Sequence, residues 1–225
     1  MQLWPAGTMT VVIPTLNAAS VLPGSLAALG GFADIVVADG GSADGTAAIA
    51  RAAGAVVVIG PRGRGVQLAA GIGAARSPWL LLLHADTRLA PGWAAVAAAH
   101  MRGTPDRAGY FRFALDSADP RARRLERAVA WRCQVLALPY GDQGLLIARN
   151  VLEAAGGVRP LPLMEDVDLV RRLGPRRLAL LPADAVTSAA RWERDGWRRR
   201  SARNLACLAL WYAGVPPGWI ARLYC

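Results

Sequence analysis

The sequence predicts an α/β protein with a mainly parallel central sheet flanked by helices, and three observations predict it. Short apolar runs alternate with helix-period segments through about the first 90 residues. One run, residues 78–87 (PWLLLLHADT), stays apolar until it stops at His84 and Asp86, the pattern of a strand buried on both faces. Each apolar run ends in a loop carrying polar residues or glycine, as expected where parallel strands deliver their carboxyl ends to a ligand crevice.

The elements follow in order. Residues 10–13 are a β-branched run ended by Pro14, and 20–29 carry apolar positions at helical spacing. Residues 35–37 form the second strand, running into the loop 39–46 (DGGSADGT). A helix over 46–53 stops at Gly54, a third strand covers 55–59, a third helix 65–75 and a fourth strand 79–83. Such βαβ units give right-handed crossovers and a nucleotide-binding type of half over about 1–90. The second half, about 91–225, is mixed. It holds a strand at 109–115, an Arg-rich amphipathic helix at 120–138, and a loop at 140–144 (YGDQG) leading into an apolar run at 145–148. A short helix at 164–173 sets Val167, Val170 and Leu173 on one face, with an acidic first turn suited to the helix dipole. No repeat or linker divides the chain, so a single domain over 1–225 is expected.

With 225 residues, 54% of them hydrophobic, the chain can fill a real core, which excludes disorder. Its 26 basic residues against 16 acidic give +10, and every basic residue is Arg. That bias fits a compositional habit, a phosphate-bearing substrate, an anionic membrane surface or nucleic acid. Cys133, Cys207 and Cys225 suggest neither a disulfide framework nor a zinc site, so a reducing cytoplasm is the expected setting. Residues 1–7 lack the charged start and apolar region of a secretory signal. The apolar stretch 205–215, bracketed by Arg203 and Pro216, is about half of the ~20 residues a bilayer requires, and reads as a buried helix instead.

The loops after the first four strands emerge at one sheet edge, bringing Pro14, Thr15 and Asn17, then Asp39, then Arg64 between two glycines, then His84, Ala85 and Asp86. An amide, two carboxylates and an Arg around one crevice suit a diphosphate with a divalent cation. Arg64 would approach phosphate oxygens or a base, and Asp86 would give a hard oxygen ligand to Mg²⁺ or Mn²⁺. Singly, the pieces are ordinary: a turn at Asp39, a structural histidine at His84, a helix N-terminal charge pair at Glu165 and Asp166. The glycines at 40–45 lack the Lys of a phosphate loop, and no dinucleotide-binding glycine pattern falls in register.

In order, VVIPTLNA (11–18), IVVADGGSADGT (35–46), GRG (63–65), LLLLHAD (80–86) and ED (165–166) resemble the family 2 inverting glycosyltransferases of the GT-A fold, over nearly the whole chain. Within that family the chain resembles the short group found beside radical-SAM and selenium-associated proteins, some named for arsenosugar biosynthesis, to which the tail 187–197 (TSAARWERDGW) is similar. The resemblance implies that Pro14, Thr15 and Asn17 contact the donor nucleotide, that Asp39 hydrogen-bonds its base, usually uracil, and that Arg64 lies near base and phosphates. Asp86 matches the last Asp of the D-x-D motif, which holds the donor diphosphate through Mn²⁺ or Mg²⁺; His84 replaces the first Asp, with Ala85 between. Glu165 and Asp166 match the E-D pair, Asp166 being the general base, and Asp142 and Gln143 fall in the acceptor loop.

Arg191 and Trp192 stand where processive relatives carry Q-x-x-R-W, but Ser188 occupies the Gln position, which argues against polymer synthesis. The implied reaction moves a sugar from a nucleoside diphosphate, expected to be UDP, to a small or lipid-linked acceptor, with inversion. A sugar nucleotidyltransferase is the rival on the same fold, disfavoured by the absence of Lys; a basic nucleic-acid or membrane-surface module is another. No nucleic-acid partner is expected. Arg191, Arg194 and the arginines at 198–200 would clamp a pyrophosphate, face anionic lipid or be solvated. Trp192, Trp197, Trp211 and Trp219 would anchor a peripheral membrane contact or pack in the core.

Overall fold

All seven residues of β1 (Met9–Thr15) are buried, and so is every residue of β2 (Ile35–Asp39) and β4 (Trp79–Leu82). The structure, a computed structural model, describes residues 4–30 and 34–224, so Cys225 and the first three residues of the 1–7 segment lie outside it. Strands this uniformly apolar need neighbours on both edges and layers on both faces. β1 has them: β2 and β4 pair parallel on either side, with Val12 beside Val36 and Leu82. β3 (Val56–Ile59) closes that end as a partly exposed edge strand. The connections are α1 (Leu22–Ala28), α2 (Thr46–Ala52) and α3 (Arg64–Ala74). α3 packs so tightly on β1 that a Cβ on Gly71 would fall 2.5 Å from Val12 Cγ1.

The second half extends the same sheet to eight strands in the order β3-β2-β1-β4-β7-β6-β8-β5, with β5 (Thr87–Leu89), β6 (Ala108–Leu115), β7 (Leu145–Ala148) and β8 (Leu178–Thr187). β7 runs antiparallel to β4 and β6, β6 and β8 are parallel, and β5 is antiparallel to β8. The result is the mainly parallel α/β sheet that the sequence predicts. β8 is absent from the sequence reading because Pro182 interrupts it. Its pairing with β6 jumps from Phe111–Leu181 to Arg112–Asp184, leaving Pro182 and Ala183 in a bulge where a missing N–H costs no ladder bond.

Helices α4 (Trp93–Gly103), α5 (Pro120–Leu136), α6 (Arg149–Ala154) and α7 (Glu165–Leu173) complete the layers. α5 begins on Asp119, whose side chain accepts from the Arg121 N–H, and ends at Ala137, φ 51°, slightly before the expected 138. Three helices follow: α8 (Ala190–Asp195), α9 (Trp197–Tyr212) and α10 (Pro217–Tyr224). Here the expectation of a buried helix at 205–215 fails. α9 starts earlier and lies on the surface, with Leu205 65% exposed, because it packs through one stripe only. Among the described residues no helix is long and apolar enough to cross a membrane. Of the two readings of the tryptophans, core packing holds for Trp192 and Trp197, buried in the main core; Trp211 is partly buried, and Trp219 alone of the four is exposed. α9 joins the main core at Trp197, and the rest of α9 with α10 meets the body through a separate small cluster, Leu163, Cys207 and Ile220.

Candidate active site

At the carboxyl edge of β1 and β4 lies a cavity of about 760 Å³. Pro14, Thr15 and Asn17 reach it from the end of β1, Arg64 from the first turn of α3, and His84, Ala85 and Asp86 from the turn after β4. Its far wall comes from the C-terminal helices, with Arg191 and Arg194 of α8, Arg200 and Arg203 of α9, and Tyr224 of α10. A deeper cavity of about 110 Å³ adjoins it, sharing Arg64, His84, Asp86 and Arg191 and adding Tyr140, Asp142, Asp166, Trp192 and Asn204.

Three of the residues singled out in the sequence do not reach either cavity. Asp39 is 1% exposed, and its carboxylate accepts from Thr15 Oγ1 at 2.9 Å, from Ser42 N and Oγ at 2.7 and 2.6 Å, and from Gly41 N at 2.9 Å. Its acceptor capacity is spent on fixing the loop. Burial pushes this carboxyl up, but the hydrogen bonds from Ser42, Thr15 and Gly41 outweigh it and hold it below the ordinary range. Gln143, expected at the acceptor, is turned inward: its amide donates to Phe111 O at 3.0 Å and accepts from Tyr140 N at 3.2 Å. Glu165, also 1% exposed, faces Arg64 Nε at 3.3 Å.

Local backbone explains the split between Glu165 and Asp166. Met164, at φ 66°, turns the chain through the left-handed region immediately before α7. Glu165 then points to Arg64 while Asp166 enters the cavity, where its two oxygens accept from Gly141 N and Val167 N, each at 2.8 Å. Gly141 sits where a Cβ would fall 2.4 Å from His84 Nε2, so only glycine lets the loop approach the β4 turn this closely.

The charges are strongly coupled. Glu165 is pushed up to about 7, chiefly by burial, with Arg64 opposing and Asp166 adding. Burial likewise raises Asp142 to about 6; Arg132 opposes, and Asp166 and Asp86 add to the rise. Asp142 Oδ1 is buried without a hydrogen-bond partner. Burial works against the Arg64 charge, but Glu165, Asp166 and Asp142 together more than compensate. His84 lies well below its usual value through burial first, then Arg64 and Arg191. Arg64 Nη1 stands 3.4 Å from His84 Nε2, and since Arg can only donate, that nitrogen accepts and the ring is neutral.

This donor set fits a divalent cation only in company. Among the described residues no three His, Cys, Asp or Glu side chains converge to hold one. The His84 lone pair is engaged by Arg64, which leaves Asp86, facing both cavities, as the one hard ligand of its turn. Phosphate oxygens and water would complete the shell. Asn204 and Tyr224 are wall residues that the sequence reading missed, and Arg200 was named there only within the run 198–200. Arg200 is buried, with Nε unpartnered and its guanidinium 4.5 Å from the Tyr224 ring, yet in the sequence it is indistinguishable from Arg198 and Arg199. Helical phase is the signal that separates them.

The family model described as "Glycosyl transferase family 2" matches residues 10–157, well over half of the chain. The chain belongs to glycosyl transferase family 2. The family match covers the β1 to β4 loops and the Tyr140 loop but ends before Glu165, Asp166, Arg191 and Trp192. An uncharacterized glycosyltransferase of Mycobacterium tuberculosis (strain ATCC 25618 / H37Rv) is 40% identical over 85 residues, 37% of this chain and 39% of that protein. A counterpart in Mycobacterium bovis matches equally. The alignment thus spans well under half the length of these relatives.

Among solved structures, glucosyl-3-phosphoglycerate synthase from Mycobacterium tuberculosis, in complex with Mn²⁺ and uridine-diphosphate-glucose, has a TM-score of 0.64 at 19% identity, covering 94% of this chain and 80% of that one. Mannosyl-3-phosphoglycerate synthase from Rubrobacter xylanophilus has a TM-score of 0.58 at 17% identity, covering 92% and 75%. This family 2 chain therefore has the GT-A fold of those neighbours.

Proposed function

We propose that the chain, acting as a single domain, transfers a sugar from a UDP-linked donor to a small or lipid-linked acceptor, with inversion. The observation that carries this reading is the junction of the two cavities, where Asp86 and Arg64 line both and Asp166 enters only the deeper one. The donor would occupy the larger cavity, its nucleotide against Pro14, Thr15 and Asn17 and its diphosphate facing Arg64, Arg191 and Arg200. A Mn²⁺ or Mg²⁺ held by Asp86 would supply charge neutralisation for the departing diphosphate. The complex of the synthase with Mn²⁺ and uridine-diphosphate-glucose supports this pairing of cation and donor.

Asp166 takes the proton of the acceptor hydroxyl as its oxygen attacks the anomeric carbon from the face opposite the diphosphate, and one displacement inverts the centre. The N–H groups of Gly141 and Val167 orient the carboxylate. Asp142 and Trp192 line the acceptor pocket. Within the family we place the chain with the short radical-SAM and selenium-associated group; residues 187–197, which bring Arg191 and Trp192 to the site, support this. The free, buried thiols of Cys133 and Cys207 suit a cytoplasmic setting.

Titration calorimetry with UDP-sugars and Mn²⁺ tests the donor side. Binding is expected with wild type and lost in Asp86→Ala, whereas no binding of any nucleotide sugar with either cation would overturn the reading. Asp166→Asn is expected to bind donor normally while losing transfer by about 10²- to 10⁴-fold. Weakened donor binding in that variant would show that Asp166 is not the base.

A further inference from the structure

We propose that the outer face of α9 and α10 docks on an anionic lipid surface. α9 has two faces. Inward it presents Asn204, Cys207 and Leu208 to the deeper cavity. Outward it presents Ala202, Leu205, Ala206, Ala209 and Tyr212, spaced three and four apart and all exposed. Leu205 is 65% exposed, Tyr212 at 49% lies under the Arg171 guanidinium 4.8 Å from its ring, and on α10 Trp219 at 64% and Leu223 at 58% are exposed one turn apart. Large apolar side chains left exposed on both C-terminal helices mark an interaction surface.

Charge selects the occupant. From 196 to 224 there is no acidic residue, while arginines stand at 198, 199, 200, 203 and 222. Arg198 and Arg199 open α9 in solvent, and exposed Arg222 lies 5.4 Å from the Trp219 ring. A second copy of this chain would set these arginines against their own kind. Nucleic acid would use the arginines and leave Leu205 and Leu223 in water. An anionic bilayer satisfies both, with lipid phosphates meeting the guanidinium groups and the Leu and Trp side chains entering the headgroup boundary. With no spanning helix among the described residues, the attachment is peripheral. Of the four tryptophans named from the sequence only Trp219 belongs to this surface, since Trp192 and Trp197 are buried.

Vesicle flotation of the full chain tests this without reference to sugar transfer. The chain is expected to float with phosphatidylglycerol-containing vesicles and not with phosphatidylcholine alone. The pair Leu205→Asp and Leu223→Asp is expected to weaken binding about tenfold or more while melting like wild type, both positions being exposed. Arg198→Gln with Arg199→Gln is expected to weaken binding and flatten its salt dependence. A blue shift in tryptophan emission on adding vesicles, absent in Trp219→Phe, would place that ring at the interface. The proposal is overturned if the chain ignores anionic vesicles, if the leucine pair leaves flotation unchanged, or if that pair instead dissolves a dimer seen by sedimentation.

Discussion

Arg64 lines both cavities, pairing with Glu165 at 3.3 Å and donating toward His84 at 3.4 Å. The cluster around it should leave a pH signature. Asp142 has an unfolded value of 3.8 and a folded value of about 6, so between them the folded chain holds the extra proton. Stability then falls as pH rises through that window, because the ionised carboxylate is the form burial penalises. Asp142→Asn removes this slope: its stability relative to wild type should improve by up to about 3 kcal/mol between about pH 4 and pH 8, read from thermal melts of the free chain. Gly141→Ala should push His84 away and misalign Asp166, costing transfer more than fold; comparing kcat with the melting temperature checks it. At this scale the sequence was informative where a residue ends a strand, as at Thr15, His84 and Asp86. Asp39 and Gln143 instead bond within the fold, and spacing does not tell whether a polar group will be taken up in that way.

Among the elements, β1, β2 and β4 were legible because full burial writes a continuous apolar run, and β3 because residues 56–59 are apolar all the same at its edge position. β8 was not, since Pro182 hides a strand whose bulge absorbs it. α9 was misjudged as buried because an Ala- and Leu-rich stretch reads the same whether it faces a core or an interface. α3 offers a sharper test of how helices are placed. A Cβ on Gly65 would meet Arg159 O at 2.4 Å and both Leu161 N and O at 2.7 Å. These are backbone atoms that cannot rotate aside, so Gly65→Ala should destabilise by about 1–3 kcal/mol and displace Arg64 with it. Denaturant melts and the loss of donor binding would register the two effects separately.

Over the whole molecule, the hydrophobic interior divides unequally into one continuous core through the sheet and a small cluster, Leu163, Cys207 and Ile220, under α9 and α10. The smaller cluster should open at lower free energy. Alkylation under native conditions should therefore reach Cys207 before Cys133, although both are buried, and Ile220→Ala should speed Cys207 labelling by about tenfold or more while leaving Cys133 nearly unchanged. Peptide mapping by mass spectrometry distinguishes the sites. Equal labelling rates would show that the C-terminal helices unfold only with the sheet.

A partition one helix thick carries a thermodynamic obligation. α9 separates the deeper cavity from the outside with no second layer behind it, so any shift that reshapes one face is felt at the other. If occupancy inside favours one setting of the partition and occupancy outside favours the same one, each must tighten the other by a single common factor, and the reciprocity can be measured from either side.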